Sequence, residues 1–224
     1  MNASLPKLSQ LFESGRHVMY HKDDVIVRPG DVPSGVYYVV SGGVKLYSLC
    51  LNGEPNILMT LCAGEIFPIA WAVSGVTRDI GFAALDTVAA LRLSRSAFLQ
   101  AVLSDNSLMN EAIQGLAHHF FTLTGEMDNL QYRSAREKVV YRLIFLASHF
   151  GEHDQGLTTI TARITNDYIA RSTNMTRETA SRELSRLSRK QLIRVERGKI
   201  IIPDLLRLRN EISQHFNLAT LSLD

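Results

Sequence analysis

The feature that most constrains this chain is a single change in its hydrophobic period. From Val25 to Leu93, short β-branched and aromatic runs are broken by Pro29-Gly30-Asp31, Ser41-Gly42-Gly43, Asn52-Gly53 and Ala63-Gly64. Turn signals about ten residues apart are typical of antiparallel sandwiches and barrels. Val36-Tyr37-Tyr38-Val39-Val40 and Val44-Lys45-Leu46-Tyr47 read as strands around one such turn. Asn52-Gly53 suits a tight hairpin, because both residue types tolerate positive φ. Beyond Leu93 the pattern changes. Met109, Ile113, Leu116, Phe120, Leu123, Met127 and Leu130 recur at intervals of 4, 3, 4, 3, 4 and 3 residues. That is a heptad seam on one long helix. An all-β front must therefore hand over to a helical middle.

A seam of this kind either joins two copies of the chain or packs the helix on its own domain. Gln114, His118, Thr124 and Asp128 keep the stripe narrow, which favours a homodimer. Gly115 and Gly125 lower the intrinsic helicity, so packing must hold the helix together. The helix is expected to end near Arg133. Ser134-Ala135-Arg136-Glu137 then reads as a capping box that starts a second helix. Val139, Val140, Leu143, Ile144 and Ala147 form its apolar face, and Gly151 is expected to end it as a left-handed cap. The chain divides accordingly into an all-β front (1–104), a long seam helix (105–133) and a back that starts with a second helix (134–224). Ser134 is the expected hinge.

Charge supports that division. The net formal charge is only +2. Residues 1–157 carry 12 Lys/Arg against 15 Asp/Glu, and residues 158–224 carry 12 against 7. An acidic front and a basic back place any polyanionic partner at the back. The longest apolar runs, such as Ile66 to Val73, are too short to cross a bilayer. The N-terminus lacks the pattern of a cleaved signal peptide, and Cys50 and Cys62 have neither zinc nor redox spacing. A cytoplasmic protein with two reduced, apolar cysteines and no membrane contact is expected. No paired carboxylates, phosphate loop or nucleophile–base signature indicates an enzyme.

The basic back carries a DNA-reading pattern. Asn166 to Ser172, capped by Thr165 or Asn166, is a short helix. Thr173-Asn174-Met175 is a turn, in which Asn174 can adopt a left-handed conformation at low cost. Thr176 caps a longer helix that runs to about Lys190, with Ala180, Leu184 and Leu187 buried. Its opposite face carries Arg177, Glu178, Ser181, Arg182, Arg186 and Arg189. In a helix-turn-helix, the N-terminal turn of the second helix enters the major groove. Arg182 can donate to guanine O6 and N7, and Glu178 can accept from cytosine N4. A carboxylate amid cations is unfavourable near phosphate, so Glu178 argues for base reading. The same two residues could also form an i,i+4 ion pair. Two strands, residues 193–196 and 199–202, then flank Arg197-Gly198 as a wing, with Lys199 at its tip.

Thr176-Arg177-Glu178-Thr179-Ala180-Ser181-Arg182-Glu183-Leu184 resembles the recognition helix of the cyclic-AMP receptor protein and fumarate-nitrate regulator superfamily of bacterial transcription regulators. Gly35-Val36-Tyr37-Tyr38-Val39-Val40-Ser41-Gly42 resembles that superfamily's cyclic-nucleotide-binding β-roll, and Gly64-Glu65 the start of its phosphate-binding cassette. The resemblance covers roughly residues 10–205. It implies an α+β fold: an N-terminal cyclic-nucleotide-binding-like β-roll, a long dimerisation helix and a C-terminal winged helix-turn-helix. It further implies a homodimer on an inverted repeat in double-stranded DNA near promoters, with RNA polymerase as a partner. Thr176, Arg177, Glu178, Ser181, Arg182, Arg186, Arg197 and Lys199 would contact DNA, and Glu178 and Arg182 would read the core of a half-site containing TGA. Both TGTGA-like and TTGA-like half-sites remain open. The other functional class is a cyclic-nucleotide-binding regulatory module acting on a protein partner, but such modules have no recognition helix or wing.

In the sensor, the departures from the family pattern matter. Members that bind cyclic AMP hold the ribose with a Glu after the cassette Gly and the phosphate with a later Arg. Glu65 is in place, but the next arginine, Arg78, lies beyond Pro68 and Trp71 and is followed by Asp79. A carboxylate there would repel a cyclic phosphate. Leu123 and Thr124 match the adenine-contacting pair, so one polar group is missing. Cyclic AMP is therefore not the expected effector, and no cofactor or metal is predicted. Another small effector, or none, fits Ile66-Phe67-Pro68-Ile69-Ala70-Trp71 better, with Glu65, Ile66, Trp71, Arg78, Leu123 and Thr124 as the candidate residues. No cysteine precedes Cys50, which argues against an N-terminal iron–sulfur site. His17, His21, His118 and His119 could in principle ligate haem or a metal, but an adjacent pair on a helix, such as His118 and His119, is expected to point apart, which favours a surface or interface role.

Overall fold

The computed structural model describes residues 6–154, 156–196 and 198–212. They form two compact units, divided inside one long helix between Leu123 and Thr124.

The front unit begins with α1 (Pro6–Glu13), followed by β1 (Arg16–Tyr20), β2 (Val25–Val27), β3 (Val36–Ser41), β4 (Val44–Leu49), β5 (Pro55–Leu61) and β6 (Ile66–Phe67). A short helix α2 (Ile69–Ser74) interrupts the strands before β7 (Ile80–Ala84) and β8 (Val88–Leu93). Two four-stranded antiparallel sheets result, ordered β1-β8-β3-β6 and β2-β7-β4-β5. Tyr37 pairs with both Arg92 and Phe67, and Leu46 with Met59 and Phe82. The inward residues Val39, Val44, Met59, Phe67, Phe82 and Val88 fill the space between the sheets. On the other side, Leu8 and Phe12 of α1 pack with Ile66, Trp71 and Phe98. α1, β1 and α2 extend the β-rich reading at points where turn spacing carries no signal.

One local expectation needs correction here. The β4–β5 connection is not a two-residue hairpin. Gly53 alone takes positive φ, at 79°, while the Cys50 amide donates to the Glu54 carbonyl and the Glu54 amide to Asn52 Oδ1. A five-residue loop needs one left-handed position rather than two. Cys50, on this loop, is exposed, and only Cys62 is buried.

Helix α3 (Arg95–Ser104) leads into α4 (Asn106–Tyr132), a helix of 27 residues. The seam on α4 is not one uniform stripe. Met109 and Leu116 pack on the front core beside Phe98 and Ala112, and Leu123 packs against the inter-sheet core. Ile113, Phe120 and Met127 face out, 57%, 62% and 57% exposed. Leu130 is half-buried. Alternate seam positions thus serve the helix's own unit and leave a row of apolar residues seven apart.

The back unit takes the end of α4, then α5 (Ala135–Phe150), β9 (Gly151–Asp154), β10 (Leu157–Ile160), α6 (Asn166–Ser172), α7 (Arg177–Arg189), β11 (Arg194–Glu196), β12 (Lys199–Ile202) and α8 (Leu205–Arg209). The Ser134 capping box is complete: the Glu137 amide donates to Ser134 Oγ at 3.4 Å, and the Ser134 amide donates to Glu137 Oε2 at 3.0 Å. Gly151 does not cap α5 in a left-handed conformation. Its φ is −89°, and it starts β9. Glycine is required there because a Cβ would lie 2.0 Å from the Ala147 carbonyl oxygen. The wing is also larger than a hairpin: β9 and β10 join it in a four-stranded sheet, β11-β12-β10-β9. Among the described residues, no helix is long and apolar enough to cross a membrane.

Candidate nucleic-acid interface

Helix α6 starts where Thr165 Oγ1 accepts from the Tyr168 amide at 3.1 Å. It ends at the Asn174 turn, where φ is 48°. Asparagine adopts this conformation more readily than most residues. The turn aims α7, whose N-cap is Thr176: its Oγ1 accepts from the Thr179 amide at 3.2 Å. Ala180, Leu184 and Leu187 bury one side of α7, which packs on α5 and α6. The other side stands in solvent, because a 3.6-residue period places the polar positions together there.

That exposed side brings the expected readers onto one face. Thr176, Arg177, Glu178, Arg182 and Arg186 are exposed, as is Lys199 at the wing, where it pairs with Glu196. Arg182 Nη2 donates to Thr179 Oγ1 at 3.3 Å rather than to the Glu178 carboxylate. The i,i+4 ion pair considered from the spacing is therefore not what holds Arg182. Ser181 is half-buried and lines a cleft of about 350 Å³ with Leu184, Val195 and Ile200, under the wing. Gly198 takes φ 78° at the wing tip. Arg197 lies outside the described residues.

The candidate effector residues differ in their surroundings. Glu65 is buried, and its Oε2 accepts from the Cys62 amide at 2.5 Å. Its Oε1 meets His118 Nε2 at 3.4 Å and His119 Nε2 at 3.3 Å. Burial alone would raise the Glu65 pKa. Hydrogen bonds from the two histidines and the Cys62 amide outweigh that and bring it down to about 2. The adjacent histidines therefore converge instead of pointing apart: the buried carboxylate lies between them, and each ring turns inward to reach it. Ile66 and Trp71 are buried in one core cluster, while Leu123 packs on the other. Arg95 lies over the Trp71 ring at 5.7 Å. Arg78 and Asp79 are exposed, and Thr124 belongs to the other unit.

Sequence reasoning missed the charged residues inside the back unit. Arg142 is fully buried, and its Nη2 donates to Glu126 Oε2 at 2.6 Å. The signal was present as an arginine inside the apolar run from Val139 to Ala147, a position that only a partnered charge can occupy.

A β-roll and a winged helix-turn-helix with a solvated cationic reading face define a DNA-binding regulator. Residues 17–105 match the cyclic nucleotide-binding domain family, and residues 137–211 the Crp-like helix-turn-helix domain family. The Global nitrogen regulator of Synechococcus elongatus is 25% identical over 214 residues, covering 95% of this chain and 93% of that protein. The CRP-like cAMP-activated global transcriptional regulator of Mycobacterium tuberculosis is 22% identical over 191 residues, 85% of each chain. FixK2 from Bradyrhizobium japonicum has the same fold, with a TM-score of 0.79, 22% identity and coverage of 90% of this chain and 99% of that one. The chain belongs to the superfamily of the cyclic-AMP receptor protein and the fumarate-nitrate regulator. It is a transcription regulator with a helix-turn-helix DNA-binding domain, and its relatives are bacterial regulators, not enzymes.

Proposed function

We propose that the chain acts as a homodimer that reads an inverted repeat in double-stranded DNA with a TGA-containing half-site. The carrying observation is the exposed face of α7, where Arg177, Glu178 and Arg182 stand free of the core, with the wing residue Lys199 exposed as well. Arg182 would hold the guanine and Glu178 would accept from the opposed cytosine, while Thr176, Arg177, Arg186, Arg197 and Lys199 would meet the backbone and flanking edges. Ser181, which lines the cleft under the wing, would limit how closely α7 approaches the base edges. The row of Ile113, Phe120 and Met127 supports the dimer. Apolar side chains seven apart on a long helix are left uncovered by their own unit and match a second copy of the same row. Two-fold symmetry then sets the half-sites about one helical turn apart. At a promoter, such a dimer would meet RNA polymerase.

The effector is a small molecule other than cyclic AMP, or there is none. Glu65 supports this, because its carboxylate is already satisfied by Cys62, His118 and His119. Arg78 supports it as well, being exposed with Asp79 beside it. Thermal-shift titration separates the cases. Saturable stabilisation by cyclic AMP or cyclic GMP would overturn this part of the reading. For the DNA reading, the test is binding of the full chain to a duplex with paired TGA half-sites against a scrambled duplex.

A further inference from the structure

The buried ion pair of the back unit joins three helices through one nitrogen. Arg142, on α5, is 0% exposed, and Glu126, on the last turns of α4, is 5% exposed. Arg142 Nη2 donates to Glu126 Oε2 at 2.6 Å and to the Ser172 carbonyl at 3.2 Å. Ser172 is the last residue of α6, where carbonyls lack partners within the helix and the helix end is negative. The chain then passes through Thr173, Asn174 and the Thr176 cap into α7. Whatever fixes the Ser172 carbonyl therefore fixes where the reading helix begins.

Stability does not account for the pair. Replacing a buried ion pair by apolar residues of similar volume is often neutral or stabilising, because both ions lose their hydration. Arg142 Nε and Nη1, moreover, find no hydrogen-bond partner among the described residues. Leucine and methionine at these positions would fill the core with fewer conditions. What they could not do is hold α4, α5 and α6 in one register.

We infer that Glu126 and Arg142 are positioning residues for DNA reading: their buried pair holds the end of α6, and through the Asn174 turn the start of α7, against the end of the long helix. The inference rests on α7 being the DNA-reading helix.

The test uses the full chain with two variants, Arg142→Lys and the double change Glu126→Leu/Arg142→Met. Lysine keeps the positive charge but is shorter than arginine, so its ammonium does not reach the place from which Nη2 bonds both Glu126 and Ser172. Both variants are expected to melt within a few degrees of the parent protein. Both should lose about tenfold or more of their affinity for the inverted-repeat duplex, with binding to a scrambled duplex and its salt slope unchanged. Hydrogen exchange should quicken at the Thr173 and Met175 amides, which bond to the Ile169 and Ala170 carbonyls, and not in β10 or β12. Specific affinity within about twofold of the parent in a folded variant would overturn the inference. So would a loss of specific and scrambled binding together in step with melting temperature. If one variant does not fold, the other decides; if neither folds, the role is structural and the inference fails. Should the parent itself not discriminate the inverted repeat, the DNA reading fails instead, and exchange at the two turn amides still decides the link.

Discussion

The reading face of α7 and the segment from Gly64 to Asp79 hold their charged side chains in opposite ways. On α7 the charges point outward. Arg177, Glu178, Arg182 and Arg186 are exposed, and what orders them is the buried side of the helix together with the Thr176 cap. In the cassette segment, the one carboxylate in the family position points inward. Glu65 is enclosed by the Cys62 amide and two histidines from α4, while Arg78 stands in solvent. The same kind of motif resemblance thus accompanies an available surface in one region and an already satisfied group in the other. A motif names residue types, but which partners those residues have decides whether a ligand can use them.

The largest expected effect breaks the comparison at the helix between these regions. Phe120→Glu puts a charge into the exposed row of α4 and should convert the proposed dimer to monomer in sedimentation equilibrium. Because simultaneous engagement of two half-sites is lost, affinity for the inverted repeat should fall by about a hundredfold or more. A variant that remains dimeric would mean that the copies meet elsewhere.

The next effect tests whether Glu65 is a satisfied internal group. Its folded-state pKa of about 2 lies below the ordinary value of 4.5. The stabilisation it confers is therefore complete above pH 4.5 and is lost as pH falls through about 2. Over that window it amounts to roughly 3 kcal/mol. Glu65→Gln should flatten this part of the stability curve. Equal acid sensitivity in both proteins would show that the carboxylate contributes nothing through the histidines.

On α7, Arg182→Ala should cost about 1–3 kcal/mol in binding and remove discrimination at the guanine of the half-site, read by anisotropy on duplexes differing at that base. A uniform loss across sequences would instead make Arg182 a phosphate contact. The smallest effect is Thr176→Ala, which removes the N-cap and should lower unfolding free energy by about 1 kcal/mol. Denaturant melts check it.

Particular residues show what was legible in the sequence. The capping box at Ser134, the Asn174 turn and the buried stripe Ala180, Leu184 and Leu187 depend on local hydrogen bonding and helical period, and all three appear in the structure. Gly151 was misread because no turn there demands positive φ. A Cβ would instead meet the Ala147 carbonyl one turn back in α5 and the Thr158 side chain of β10. The strand β9 was hidden because Gly151-Glu152-His153-Asp154 has no β-branched or apolar side chain to mark it, and without β9 its partner β10 had no visible hairpin. The convergence of His118 and His119 could not be seen from helix geometry alone, since the carboxylate that draws them together comes from a different part of the chain. The seam on α4 was visible as a period. Its division into inward and outward positions depends on the sheets that cover one side of it.

The central claim is that α7 reads base identity, with two copies on one site. It is tested most directly by fluorescence anisotropy of the full chain on a duplex with two inverted TGA half-sites one helical turn apart, measured against the same duplex with each guanine of TGA replaced, across a salt series. The account predicts affinity for the intact duplex at least about tenfold tighter at every salt concentration, with both affinities falling as salt rises. Equal affinity for the two duplexes would contradict it.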